Sequence, residues 1–193
     1  MANYDQSSDL AWHKLGTEVI HQDRWIHLRA DTCRTPRGAV ITPYYVLDYP
    51  DWVNALCLTT EGKVVLIEIY RHGIERSILE LPGGIVEVGE DPEQTVRREL
   101  LEETGYVFAE AHHLHRISPN PSNHSNYCFG YLLLGGQLTS EPKPEAAESI
   151  RTVILELQEV ERLLETNQIV QAMHCVTLMY GLEKLRSLRS LRS

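Results

Sequence analysis

Residues 84–106 read GIVEVGEDPEQTVRRELLEETGY, and every local signal in this stretch asks for one helix held between two glycine turns. Asp91 is placed to be an N-cap, Pro92 suits the first helical position, and Glu93 sets an acid in the first turn, where exposed amides and the helix dipole favour one. The pattern predicts a helix from Pro92 to Thr104, ended by Gly105 in the left-handed conformation that glycine adopts at little cost. Val96, Leu100 and Leu101 supply the apolar side that anchors it to a core. Glu99 and Glu103 then stand at i and i+4, on one face with Cβ atoms about 5–6 Å apart. Glu102, three residues after Glu99 and four after Arg98, either joins them or pairs with the arginine.

Acids packed this closely repel one another unless a positive charge lies among them. Mg²⁺ or Mn²⁺ is the natural occupant, because hard cations take oxygen ligands and keep waters and substrate phosphates in their shells. Clustered glutamates on a helix are ordinarily a solvated face. The capped start, the Arg98–Glu99 pair and the glycines at both ends set this cluster apart as a divalent-metal site for phosphate chemistry.

These residues resemble the signature of the Nudix hydrolases: Gly, five residues, Glu, seven residues, then Arg-Glu-U-x-Glu-Glu-x-Gly-U, with U usually aliphatic. Gly84, Glu90, Arg98, Glu99, Leu100, Glu102, Glu103 and Gly105 fill the fixed positions, and Tyr106 replaces the last aliphatic. The resemblance implies that Glu99, Glu102 and Glu103 carry metal ions while Arg98 orients the carboxylates, partly through Glu90. It names a reaction class, hydrolysis of a nucleoside diphosphate linked to a moiety X, and leaves X open.

The chain has 193 residues, 42% of them hydrophobic, enough for one compact enzyme with a small N-terminal addition. A net charge of −9 argues against a nucleic-acid polymer as partner, since that needs a basic surface. It leaves nucleotides open, because metal ions and a few arginines supply local positive charge. Cys33, Cys57, Cys128 and Cys175 have neither paired nor zinc-like spacing, and with no signal peptide or membrane span visible they fit buried thiols in a reducing cytoplasm. His112, His113 and His115 alternate along an expected strand and read as ordinary surface or core histidines.

Along the chain, Trp25–Asp31 and Ala39–Leu47 form two strands around a turn at Thr35–Gly38, which predicts a small N-terminal antiparallel module. Trp52–Thr59 and Lys63–Tyr70 form a hairpin, and Ile78–Leu81 enters the Pro82-Gly83-Gly84 turn. After the capped helix come strands at His113–Ile117, Tyr127–Leu134 and Thr152–Leu155, then helices at Gln158–Glu165 and Gln171–Arg186. The expected class is α/β (α+β), a mixed sheet between helices, which matches the Nudix αβα sandwich. Expected divisions are an N-terminal strand module at 1–48, a hydrolase domain at 49–186 and a flexible basic tail at 187–193.

The resemblance extends over Trp52–Gly105, with Tyr70-Arg71 and Leu79-Glu-Leu-Pro-Gly-Gly84, and is similar to the branch of ADP-ribose pyrophosphatases and nucleoside-diphosphate-sugar hydrolases. In that branch the N-terminal strands contact a second subunit, which implies a homodimer. It also implies that Arg71 faces the substrate's phosphates or terminal ribose, and that the Gly83 carbonyl completes the metal shell. A catalytic glutamate in the loop after the box falls on Glu148, before Ser-Ile-Arg151, with Glu145 in reserve. Such a base takes the proton of the attacking water. The segment 118–126, SPNPSNHSN, departs from the branch by lacking an acid; Pro121, sixteen residues beyond Gly105, keeps a position associated with ADP-ribose, while Asn120, Asn123 and His124 are placed to read another sugar or base edge. The expected function is metal-dependent hydrolysis of a nucleoside-diphosphate sugar, ADP-ribose to AMP and ribose 5-phosphate. The alternatives are a GDP-sugar or dinucleotide substrate, or a nucleotide-sensing module without turnover.

Overall fold

The computed structural model describes residues 8–143 and 149–191. They divide into two compact units: residues up to Tyr49 together with Asn120–Asn126, and Pro50–Pro119 together with the chain from Tyr127 onward.

The first unit is a three-stranded antiparallel sheet of β1 (His13–Gln22), β2 (His27–Arg34) and β3 (Val40–Leu47). The turn between β2 and β3 falls where Thr35–Gly38 predicts it, closed by the Gly38 amide on the Thr35 carbonyl at 2.9 Å. β1 was not anticipated: its sequence HKLGTEVIHQ alternates poorly, its pairing is irregular at two places, and all ten residues are exposed. Segment 120–126 joins this unit through the Leu47 amide on the Asn123 carbonyl at 2.7 Å and a bridge between Leu47 and His124.

The second unit contains β4 (Trp52–Thr59), β5 (Val64–Arg71), β6 (Arg76–Glu80), β7 (Gly83–Ile85), β8 (Tyr106–Val107), β9 (Glu110–Ile117), β10 (Cys128–Leu138) and β11 (Ile150–Leu155), with helices α1 (Pro92–Thr104), α2 (Leu157–Glu165) and α3 (Ala172–Ser190). The strands form one mixed sheet ordered β11-β5-β4-β10-β8, with β6, β7 and β9 paired to β5, β4 and β10. β4 and β10 run parallel, and the other pairings are antiparallel. Alternation along the strands builds a core on each face. Val53, Ala55, Cys57 and Val65 meet Val96 and Leu100 of α1, whereas Leu56, Leu58, Val64 and Leu66 meet Val160 and Leu163 of α2 and Leu178 and Leu182 of α3. The result is the expected helix–sheet–helix sandwich. α3 runs on to Ser190, through part of the basic 187–193 segment, with Leu185 buried and Leu188 packed on the same core.

One detail of this sheet creates a concavity. β4 and β5 pair only at Cys57–Val65 and Leu58–Val64, then part, and β7 and β6 occupy the edges so released. The residues around this parting line a cleft of about 660 Å³.

Candidate active site

α1 forms as its local chemistry dictates. Asp91 Oδ1 accepts the Glu93 and Gln94 amides at 2.9 and 3.3 Å, and Gly105 closes the helix at φ 74° with its amide on the Leu101 carbonyl at 3.0 Å. Val96 and Leu100 are fully buried against the sheet. That anchoring sets Glu99 and Glu103, which flank the apolar stripe, against β7.

Glu99 and Glu103 both reach the two-residue stretch Gly83–Gly84. The Gly83 amide donates to Glu103 Oε2 at 3.0 Å, and a Cβ on Gly84 would stand 2.4 Å from the Glu99 carboxyl carbon. Any side chain at 84 would therefore push the Glu99 carboxylate away from the main chain. Glu103 is 5% exposed, and Gly83, Gly84 and Glu103 all line the cleft.

Arg98 holds the rest of the cluster. Its Nε and Nη2 fork onto Glu90 at 3.2 and 3.1 Å, while Nη1 donates to Glu99 at 3.0 Å and to Glu102 at 3.2 Å. The Arg98 hydrogen bonds hold the Glu90 carboxyl below the usual glutamate range. Of the two placements left open for Glu102, the structure shows the pairing with Arg98.

The donor set suits a divalent cation. Glu90, Glu99 and Glu102 share the single Arg98 guanidinium and Glu103 rests on the Gly83 amide, so the cluster keeps surplus negative charge and hard oxygen donors. Among the described residues, no three His, Cys, Asp or Glu side chains converge as a ready-made metal site. Arg98 occupies part of the coordinating capacity of Glu99 and Glu102.

Across the cleft stands a group that the sequence reading missed. Glu80 is 1% exposed at the end of β6, and Arg71, whose side chain is half exposed, forks onto it with Nε–Oε1 at 2.9 Å and Nη2–Oε2 at 2.6 Å. His174 of α3 accepts the Leu81 amide through Nδ1 at 3.2 Å, and the same nitrogen is 3.8 Å from Glu80 Oε2. Burial pushes the imidazole down to about 4, against the pull of Glu80. The available signal was a lone acid in the apolar run Ile78-Leu79-Glu80-Leu81; nothing local marks His174. The Arg71 guanidinium, expected to face substrate, lines the cleft while bound to Glu80.

The remaining expected positions fall elsewhere. Pro121 lies in the first unit, in a turn where Asn120 Nδ2 donates to Asn123 Oδ1 at 2.7 Å and the His124 amide bonds the Asn120 carbonyl at 2.8 Å. Asn120, Asn123 and His124 thus serve that turn, and the His124 ring lies against Tyr49. Glu145 and Glu148 lie outside the described residues. The three histidines of β9 do not cluster: the β9–β10 register slips between His113 and His115, so His115 is buried on Thr177, His113 meets Tyr131 edge-on, and His112 bonds Glu110. All four cysteines are free, three of them buried.

Comparison with known proteins places this geometry. The NUDIX domain matches residues 49–173. The chain belongs to the Nudix family. Residues 12–47 match the nucleoside diphosphate sugar hydrolase N-terminal domain. A Bacillus methanolicus methanol dehydrogenase activator is 37% identical over 105 residues, 54% of this chain and 56% of that protein, so the match spans little more than half of the activator. An ADP-ribose pyrophosphatase of Bacillus subtilis is 26% identical over 167 residues, 86% of this chain and 90% of that enzyme. A crystal structure of an ADP compounds hydrolase superposes with a TM-score of 0.81 at 20% identity, covering 92% of this chain and 95% of the other, and shares the Nudix fold. Among the described residues no helix is long and apolar enough to cross a membrane.

Proposed function

We propose that this Nudix pyrophosphohydrolase cleaves the pyrophosphate bond of ADP-ribose with Mg²⁺, yielding AMP and ribose 5-phosphate. The observation that carries this reading is the convergence of Glu99 and Glu103 on the Gly83–Gly84 main chain at the edge of the cleft. The named activity of the Bacillus subtilis relative, matched over most of both chains, supports the choice of ADP-ribose.

Glu99 and Glu103, with Glu102 and the Gly83 carbonyl, would hold the cation. When bound, it neutralises diphosphate charge and lowers the pKa of the attacking water. The chain's own residues supply positioning. The Gly83 amide and the Arg98 fork fix the carboxylates, while the Arg71–Glu80 pair sets a charge-balanced wall opposite them. Water attacks phosphorus, its proton passes to the Glu148 carboxylate, and the bridging oxygen departs with the other phosphate. A cytoplasmic setting fits the free thiols. A homodimer through the first unit is supported by β1, exposed along its whole length and bearing Leu15, Val19 and Ile20, and by the family match over residues 12–47. Sedimentation as a monomer would remove that element.

The test is hydrolysis of a panel of ADP-ribose, GDP-sugars and dinucleotides with Mg²⁺ or Mn²⁺. Glu103→Gln is expected to lower kcat by at least about 100-fold, since metal assistance supplies several kcal/mol. Unchanged turnover in that variant, or no turnover of any substrate by the wild type, would sink the reading. Glu148→Gln is expected to cost about 10²–10⁴-fold, and a loss below tenfold would remove it as the base.

A further inference from the structure

Asn54 is the polar exception within the buried stretch Val53–Leu58 of β4. It is 3% exposed and lines the cleft. Its Nδ2 donates to Cys128 Sγ at 3.3 Å, whereas Oδ1 is buried with no hydrogen-bond partner among the described residues. Exchanging the two ends of the amide does not remove the deficit. The Cys128 thiol, pushed up to about 12 by burial, would then donate to oxygen, and nitrogen would be left over. An unmet buried polar atom carries an uncompensated desolvation cost, which leucine at this position would avoid.

The position of this deficit is informative. Asn54 lies opposite Gly83 in the β4–β7 ladder, and the Ala55 amide binds the Pro82 carbonyl at 3.1 Å. Strand alternation puts Asn54 on the α3 face of the sheet, with Leu56. From α3, His174 holds the same turn at Leu81. Because its Nδ1 accepts that amide, the neutral ring carries its proton on Nε2. Asn54 and His174 therefore flank the Leu81–Gly83 turn, one with an unmet amide oxygen and one with an N–H, and both belong to the cleft wall.

A ligand group that satisfies both must donate one hydrogen bond and accept another. A hydroxyl does so. A phosphate at neutral pH is mainly an acceptor, so it would meet the His174 N–H and leave the Asn54 oxygen without a donor. Proximity narrows the choice further. Gly83, the ladder partner of Asn54, also binds Glu103, and Asn54, His174 and Glu103 line the same cleft, which favours a sugar bonded directly to the proposed diphosphate centre. A nucleobase stands a whole ribose further away.

We propose that Asn54 and His174 form a subsite for a hydroxyl of the pentose attached to the diphosphate, with Asn54 accepting from that hydroxyl and His174 donating to it. Rotation about the soft final torsion of asparagine turns the amide to the ligand. The subsite rests on the hydrolase reading for its substrate, and its test is separable from turnover.

Calorimetry in the presence of Mg²⁺ compares ribose 5-phosphate with its 2-deoxy and 3-deoxy forms, and AMP with its 2′- and 3′-deoxy forms. The wild type is expected to bind the hydroxylated member of one series about 30-fold more tightly, the net worth of the two hydrogen bonds that the hydroxyl makes, and the series that shows it says which pentose is read. Asn54→Leu, and His174→Asn, which keeps an acceptor for the Leu81 amide but loses the outer N–H, are expected to bind all members alike. No preference in either series for the wild type overturns the subsite, as does a preference that survives both substitutions. If no nucleoside-diphosphate sugar is hydrolysed, the substrate assignment falls, while these binding ratios still judge the subsite.

Discussion

Arg98 and Arg71 both bind carboxylates in the second unit, but with opposite charge balance. Arg98 stands among Glu90, Glu99 and Glu102 at the surface of α1, with Glu103 one turn beyond Glu99. Arg71 forks onto Glu80, which is almost wholly removed from water. The first cluster retains surplus negative charge and invites a cation. The second is neutral overall and has a neutral imidazole behind it, so it acts as fixed wall. The contrast teaches that burial sets the permitted excess: Glu90, Glu99 and Glu102 are partly exposed and screened by solvent, whereas buried Glu80 has its own counter-charge and buried Glu103 rests on the Gly83 amide.

Removing each arginine breaks the comparison at a different point. Arg71→Ala is expected to lower stability by about 2–3 kcal/mol, towards the low end for a broken buried pair because the guanidinium is half exposed. Urea unfolding reads this directly, and an unchanged midpoint would mean that Glu80 does not depend on the fork. Arg98→Ala should leave stability within about 1 kcal/mol, since its partners are partly solvated. Turnover should nevertheless fall about 100-fold as Glu99 loses its orientation, a loss visible in kcat at saturating substrate. Equal effects of the two substitutions on stability would erase the distinction.

The smallest effect is a pH dependence of the buried wall. His174, faced by Glu80 and Arg71, is held near 4 in the fold against an ordinary 6.5. Between these values the unfolded chain binds a proton that the folded one refuses, so stability falls as pH drops through the window and levels off below it. The slope is at most about 1.4 kcal/mol per pH unit. Glu90 acts with its own sign: its depressed carboxyl contributes stability above the usual glutamate range and loses it only at lower pH. Unfolding midpoints from pH 7 to 5 should therefore decline in the wild type and flatten in His174→Asn; parallel curves would assign the decline to another group.

What the sequence disclosed follows the range of the interactions involved. α1 was legible in its start and stop because Asp91, Pro92 and Gly105 act on neighbours within four positions, and the same helix period placed Glu99 and Glu103 together. The layered fold followed from strand alternation and amphipathic helices. The cluster of Glu80, Arg71 and His174 was illegible because His174 is contributed by α3, 93 positions after the Leu81 amide that it binds. Asn54 passed as one residue of a strand until its neighbours across the sheet were known. β1 lacked a signal for a different reason: a strand with no buried face has no hydrophobic alternation to display.

The parallel pairing of β4 with β10 has a consequence for how the protein comes into being. It joins Trp52 to Cys128, 76 positions apart (128 − 52), and the cleft needs both of those strands as well as α3. Closing so long a loop is entropically slow, and no hairpin can substitute for it. During synthesis, the acid-bearing helix is therefore complete well before the strands and helix that enclose the cleft are available. The cleft wall is complete only as the last third of the chain, with Cys128 and then Met173 and His174, emerges.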